Sequence, residues 1–317
     1  MNIKKIFEPS LDLAGEVAKG YAKLQPTEAF FDMSSIDEML EGSIDTHCLS
    51  GPDSSATRPW NEIDLGLEAS KWGMAAIVFK ANGYCATTRS ALLAQTVIDN
   101  WAKENNRTST RTLGGVILNN AVGGLNPYAV ETSAKIGGKF VWTPSNDSWW
   151  HRKLTGHGGG IEVLDEHDRV LPALEEIFRI ASAYDLVLGI CHQNTKERLI
   201  MIDAANEAGV KRIVLIHPQQ PVNKMTIEQM KMAAAKGAYM GIYCCDFHPP
   251  FFDWDETLQI IKELGPDSIV LGTDLGNFKW PPPVESFRRY LALLLYQGVP
   301  DKDVEKMAKI NAQNLIF

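Results

Sequence analysis

Short runs rich in Val, Ile, Leu and Met alternate along the chain with stretches of helical periodicity, and the alternation repeats eight times. The runs fall at about 42–47, 74–80, 113–119, 138–143, 186–191, 212–217, 238–244 and 268–273. Several are nearly continuous in apolar residues, as strands covered on both faces require. The intervening patterns have legible helix ends. Asn126-Pro127 supplies a cap and a first-turn proline before 128–136, Asn194 with Glu197 has capping-box spacing before 196–208, and Gly209 and Gly237 sit where helices should stop. Strand and helix in strict alternation predict βα units around a parallel sheet. Eight such units close into an α/β fold of the (β/α)8 TIM-barrel type. An open doubly wound sheet is the alternative, but it normally has fewer units, and no GxGxxG follows the first strand.

Two segments stand outside this repeat. Residues 1–40 are expected to form an N-terminal helical extension, with Leu13, Val17, Tyr21 and Leu24 at helical spacing, ahead of a barrel domain over 41–317. The extension would cover the barrel bottom or reach a neighbouring subunit, and a homo-oligomer is expected. Residues 144–170 make a long loop after the fourth strand, on the face where barrel chemistry lies, and read as an active-site lid. Within it, GHGGG at 156–160 lacks the Lys-Ser/Thr ending of a phosphate-binding loop and reads as a turn.

Composition narrows the partners. The chain has 317 residues, 45% of them hydrophobic, enough for one large core. Its 31 basic and 39 acidic residues give a net charge of -8, which argues against nucleic acid or an anionic membrane and for a small-molecule substrate. The N-terminal residues lack the apolar run of a signal peptide, and nowhere do about 18 uncharged apolar residues run together, so a cytoplasmic protein is expected. Five cysteines (Cys48, Cys85, Cys191, Cys244 and Cys245) are odd in number and lack compact spacing, which predicts reduced thiols.

Four residues carry the clearest chemistry. His47, His192, His217 and Asp274 each end a different predicted strand, and side chains at the C-terminal ends of barrel strands converge on one pocket. A lone histidine is most often structural. Four converging imidazole and carboxylate groups instead suit zinc, manganese or iron, with an open position that lowers the pKa of bound water toward about 7.

At these residues the chain resembles the amidohydrolase superfamily, in particular an uncharacterised amidohydrolase-like branch. The resemblance spans about 42–317 through IDTHCLSGPD, GGVILNNAVGGLNP, KFVWTP, ICHQN, VLIHP, VLGTDLG, PPPVESFRRYLALLLYQGV and KINAQNLI. It implies that His47, His192, His217 and Asp274 are metal ligands, that Asp274 moves the proton in catalysis, and that His192 and His217 hold the ion or, for one of them, polarise the substrate. The implied cofactor is one divalent ion per chain, zinc first, with manganese or iron as alternatives. The chain departs from the pattern at Leu49, where the second histidine of a His-x-His pair would stand, and at Asn82, where that branch often has histidine. Three consequences compete: one ion bound by the remaining groups, a substitute ligand, or loss of metal and hydrolysis together.

Lys80, ending the second strand, is one substitute. Its leading reading is a barrel-mouth cation paired with Asp45 or Asp274, ahead of a ligand or a catalytic amine. The cysteines are another, although alternation along a strand would turn Cys48 and Cys191, the neighbours of His47 and His192, outward. Cys244 or Cys245 near His248 is also a candidate nucleophile. For the substrate, Asn119, Trp142, His151, Arg152, Tyr243 and His248 are the candidate contacts, beside His157 and the mouth-side aromatics Trp149, Trp150, Phe247, Phe251, Phe252 and Trp254. The leading expectation is metal-dependent hydrolysis of an amide, lactone or cyclic ketone in a small molecule. Metal-dependent non-oxidative decarboxylation and a metal-free binding barrel are the alternatives.

Overall fold

The computed structural model describes residues 33–247 and 254–317. Its strands are β1 (Ile44–Leu49), β2 (Ala76–Lys80), β3 (Arg111–Leu113), β4 (Gly115–Ile117), β5 (Phe140–Trp142), β6 (Val187–Ile190), β7 (Arg212–Ile216), β8 (Ala238–Tyr243) and β9 (Ile269–Gly272). Paired neighbours run parallel in the orders β1-β2-β3 and β4-β5-β6-β7-β8-β9. β3 and β4 are halves of the third predicted strand. They part at Gly114, where a Cβ would collide with the backbone of Thr87 and Thr88. The ends of the sheet meet through side-chain and loop bonds: Thr46 Oγ1 donates to Leu271 O (2.7 Å), Asp274 N to His47 O (2.6 Å) and Leu49 N to Leu275 O (3.0 Å). The fold is a (β/α)8 barrel, as the eightfold pattern predicts.

The helices begin and end where their chemistry directs. Asn126 accepts from Ala129 N before the helix Pro127–Lys135. Asn194 and Glu197 form the full capping box of the helix Thr195–Glu207. Gly209 (φ +86°) and Gly237 (φ +88°) take the left-handed conformation that ends helices. Among the described residues no helix is long and apolar enough to cross a membrane.

Period-two alternation sorts the core into two shells. Ile44, Val78, Phe140, Trp142, Val187, Cys191, Val214, Tyr243 and Val270 pack inside the barrel, whereas Leu188, Ile190, Met240 and Ile242 face the helices. Cys191 therefore points inward, a correction to the sequence reading: its strand parity matches Val187, not the outward Ile190. Cys48 packs outward against Leu65, Ile77 and Phe79. Large interior rings need small neighbours. A Cβ on Gly189 would overlap Trp142, and one on Gly241 would overlap Tyr243.

The barrel bottom is filled by the C-terminal helix Asn311–Ile316, whose Ala312, Leu315 and Ile316 join the interior cluster. Arg212 donates to Asn314 O (2.7 Å) and Phe317 O (2.9 Å) and ties that helix to β7. Of the N-terminal extension expected over residues 1–40 to cover the bottom or reach a neighbouring subunit, residues 33–40 fall among the described residues. The helix Met33–Leu40 belongs to the side of the barrel, where Asp37 pairs with Arg288 (2.6 Å), and the pattern from Leu13 to Leu24 lies outside the described residues.

One buried cation links the strand ends that precede His192 and His217. Arg198 is fully buried and donates to Cys191 O and to Ile216 O (2.6 Å), the carbonyls immediately before His192 and His217. Asn223 Nδ2 donates to the same two carbonyls at 3.2 and 2.9 Å. Burial pushes the Arg198 guanidinium down to about 9, with the neighbouring Cys191, Glu197 and Tyr243 working against the shift.

Two substitutions test this packing by urea unfolding. Gly189→Ala should lower stability by about 1–3 kcal/mol through overpacking against Trp142. Arg198→Lys keeps the charge but loses the fork spanning both carbonyls, and should cost about 1.5–3 kcal/mol.

Candidate metal centre

The strand ends deliver four ring or carboxylate groups to one place. His47, fully buried on β1, lies with Nε2 3.1 Å from Asp274 Oδ1, and His217 Nε2 lies 3.2 Å from Asp274 Oδ2. The ring centroids of His47 and His217 are 5.8 Å apart, and those of His192 and His217 are 6.0 Å apart. His217 (φ +47°) and Asp274 (φ +48°) both take left-handed backbone conformations that non-glycine residues avoid. Such strain persists where surrounding structure enforces it, and it gathers at working sites.

The electrostatics favour neutral His47 and His192 and an ionised Asp274 carboxylate. Burial, reinforced by the charge of Lys80, pushes His47 down to about 3. Burial followed by neighbouring His151, His217 and Lys80 drives His192 well below the ordinary histidine range. Burial would raise Asp274, but His217, His47 and Lys80 outweigh it and hold the carboxyl far below its usual value. Both ring nitrogens of His47 are buried; Nδ1 has no hydrogen-bond partner among the described residues, and Nε2 has the 3.1 Å contact to Asp274 Oδ1 alone. Neutral imidazole and carboxylate are the forms that bind metal, and an orphaned ring nitrogen beside a shared carboxylate fits a cation there.

Lys80 is 2% exposed, with Nζ 3.8 Å from Cys191 Sγ and 5.9 Å from the Trp142 ring centroid. The expected ion pair with Asp45 or Asp274 does not form. Asp45 instead accepts from Thr273 N (2.9 Å), Thr273 Oγ1 (2.6 Å) and His47 N (3.1 Å), and Asp274 is taken by the histidines. Cys245, on the short 3-10 turn Cys244–Phe247 after β8, brings its Sγ to 3.1 Å from Asp274 Oδ2 and 4.0 Å from His217 Nδ1. His217, Cys245 and Asp274 offer ligand atoms that all lie within 4.8 Å of one another.

The segment 144–170 is built around the helix Trp149–Leu154, capped by Ser148, whose Oγ also donates to His192 O (2.6 Å). The helix stacks His151 on His192, with ring centroids 4.8 Å apart and the two Nδ1 atoms 2.9 Å apart. Burial pushes His151 down to about 4. Arg152 instead serves the loop, donating to Gly158 O (2.9 Å), and His157 is exposed beside Thr155. Trp150 Nε1 ties the segment to Val222 O (2.7 Å).

The other candidate contacts divide. Trp142 and Tyr243 are wholly buried walls of the barrel rather than loop aromatics, and Tyr243 lies 4.8 Å from the His47 ring and 5.2 Å from His217, centroid to centroid. Asn119 joins two loops, exchanging bonds with Ser145 N (2.8 Å) and Ser145 Oγ (2.9 Å). Asn82 donates its backbone N–H to Asp53 Oδ2 (2.9 Å) in the loop beside β2. His248, Phe251 and Phe252 lie outside the described residues. Arg198 and the Asp45–Thr273 contact escaped sequence reasoning, since a single Arg on a helix and a Thr beside Asp274 carry no periodic or motif signal.

The fold is shared with solved hydrolase structures. An amidohydrolase from Pseudomonas aeruginosa matches with a TM-score of 0.60 and 15% identity over 90% of this chain and 98% of its own. The probable dipeptidase PvdM from Pseudomonas aeruginosa matches at 0.58 and 10% identity, over 89% and 97%. An organophosphorus hydrolase from Deinococcus radiodurans matches at 0.52 and 14% identity, over 87% and 92%. The chain thus shares the barrel fold of these structures. No curated protein matches it by sequence. Residues 42–241, more than half of the chain, match the model of a family of unknown function (DUF6282), and the chain belongs to that family.

Proposed function

We propose that the protein is a metal-dependent hydrolase of a carbonyl bond in a small molecule, an amide, lactone or cyclic ketone. The observation that carries this reading is the Asp274 carboxylate held between His47 and His217 at 3.1 and 3.2 Å, on a strained backbone at the barrel mouth. The amidohydrolase, dipeptidase and organophosphorus hydrolase that share the fold support it as structural analogues.

His217 and Asp274 would hold the ion, with His47 within reach on the other carboxylate oxygen. When bound, a divalent ion there polarises a carbonyl and makes water a stronger nucleophile. Asp274 receives the proton of the attacking water at a carboxylate oxygen and returns it to the leaving group. Lys80, a buried ammonium without a carboxylate partner among the described residues, orients and stabilises a substrate oxygen that gains negative charge. His151 and His192, stacked under the 144–170 segment, close the site from the lid side and help keep bulk water out.

Decarboxylation is the second reading. The single compact donor group around Asp274 and the missing histidine at Leu49 suit one ion rather than two.

The test is a panel of small amides, lactones, cyclic ketones and carboxylic acids, assayed with zinc-, manganese- or iron-reconstituted protein. Wild type should turn over a carbonyl substrate without releasing carbon dioxide. Asp274→Asn should lose at least about 100-fold in kcat, as expected for loss of a proton-transfer group, and Lys80→Met should lose activity while keeping its metal. Carbon dioxide release would transfer the assignment to decarboxylation. Unchanged turnover in Asp274→Asn would refute the proton-transfer role.

A further inference from the structure

Leu49 removes one imidazole from the first strand, yet the structure brings another donor to the same carboxylate from the opposite side. We infer that Cys245 is a metal ligand, forming with His217 and Asp274 a three-donor mononuclear site that keeps an open position for substrate. This inference rests on the metal-dependent reading above.

Strand parity aims the thiol. Along β8, Gly241 and Tyr243 face the barrel interior, whereas Met240 and Ile242 face the helices. The 3-10 turn carries the same phase forward. Cys244 turns outward, its Sγ 3.8 Å from Ser286 O, and Cys245 turns inward. The inward position is fixed by a backbone bond from Cys245 N to Thr273 O (2.9 Å), so the residue beside Asp274 anchors the one that presents the sulfur. Gln220 Nε2 lies 3.7 Å from Cys245 Sγ and can donate to a thiolate there.

The spacing suits one ion. Bond lengths of about 2.0–2.3 Å to nitrogen, oxygen and sulfur put tetrahedral donor atoms roughly 3.3–3.6 Å apart. Here Sγ to Asp274 Oδ2 is 3.1 Å and Asp274 Oδ2 to His217 Nε2 is 3.2 Å, and with one ring nitrogen counted for His217 the three ligand atoms all lie within 4.8 Å of one another. Thiolate, imidazole and carboxylate together select zinc over the harder magnesium and calcium ions. Binding forms a sulfur–metal bond and releases the thiol proton to solvent, with no change of oxidation state. His47, on the far oxygen of Asp274, then orients that carboxylate.

Cobalt(II) titration of chelator-stripped, thiol-reduced protein tests this without any substrate. Wild type should bind cobalt with visible d–d bands and a near-ultraviolet thiolate-to-cobalt charge-transfer band. Cys245→Ser should lose the charge-transfer band and bind cobalt more than about tenfold more weakly, since even outer-shell partners of a metal are worth that much. Cys244→Ser should keep both. Wild-type cobalt binding without a charge-transfer band, or a band that survives in Cys245→Ser, overturns the cysteine ligand and leaves the metal reading intact. No cobalt binding by wild type overturns both. The wild-type spectrum decides the matter even if the variant fails to fold.

Discussion

The Asp45 carboxylate fixes the geometry on which everything at the barrel mouth depends. It is buried and accepts the backbone N–H of His47 on its own strand and both the N–H and the hydroxyl of Thr273 across the β1–β9 seam. Burial raises its pKa to about 6, and those three donors work against the shift. Closure of the sheet and placement of the site are therefore one event. The bonds that join the last strand to the first also set His47 against Asp274. Gly272 is part of this arrangement, because a Cβ there would crowd Asp45 Oδ1 and His47 N.

A second brace lies across the barrel. Arg198 and Asn223 hold the carbonyls of Cys191 and Ile216, so the strands carrying His192 and His217 end at a fixed relative height. The strained conformations of His217 and Asp274 are then imposed by tertiary bonding rather than by local preference. Carboxylate, imidazoles and thiol meet because two buried polar braces over-determine the strand ends.

Much of this was legible in the chain. Eight apolar runs gave the strands, the Asn126 and Asn194 caps gave two helix starts, and strand-end residues gave His47, His217 and Asp274 as neighbours. Other features were not, for identifiable reasons. Alternation holds through Cys191, which keeps the inward parity of Val187, whereas His192 turns toward His151; the assumption that His192 pointed inward is what misjudged Cys191. Lys80 drew an expected acid partner because a buried lysine normally has one, but Asp45 was already committed to the seam. Trp142 looked like a mouth aromatic and is an interior wall, since Gly189 one strand away leaves room for its ring. The proximity of Cys245 to Asp274 depends on a backbone bond to Thr273 that no spacing encodes.

We propose that this strand-end arrangement is a metal centre. Elemental analysis of protein purified without chelator or affinity-tag metal, beside a His217→Ala variant, tests it most directly. About one equivalent of zinc, manganese or iron per chain in wild type, lost in the variant, is the predicted result. Wild-type protein that stays metal-free after reconstitution with each of these ions would contradict it.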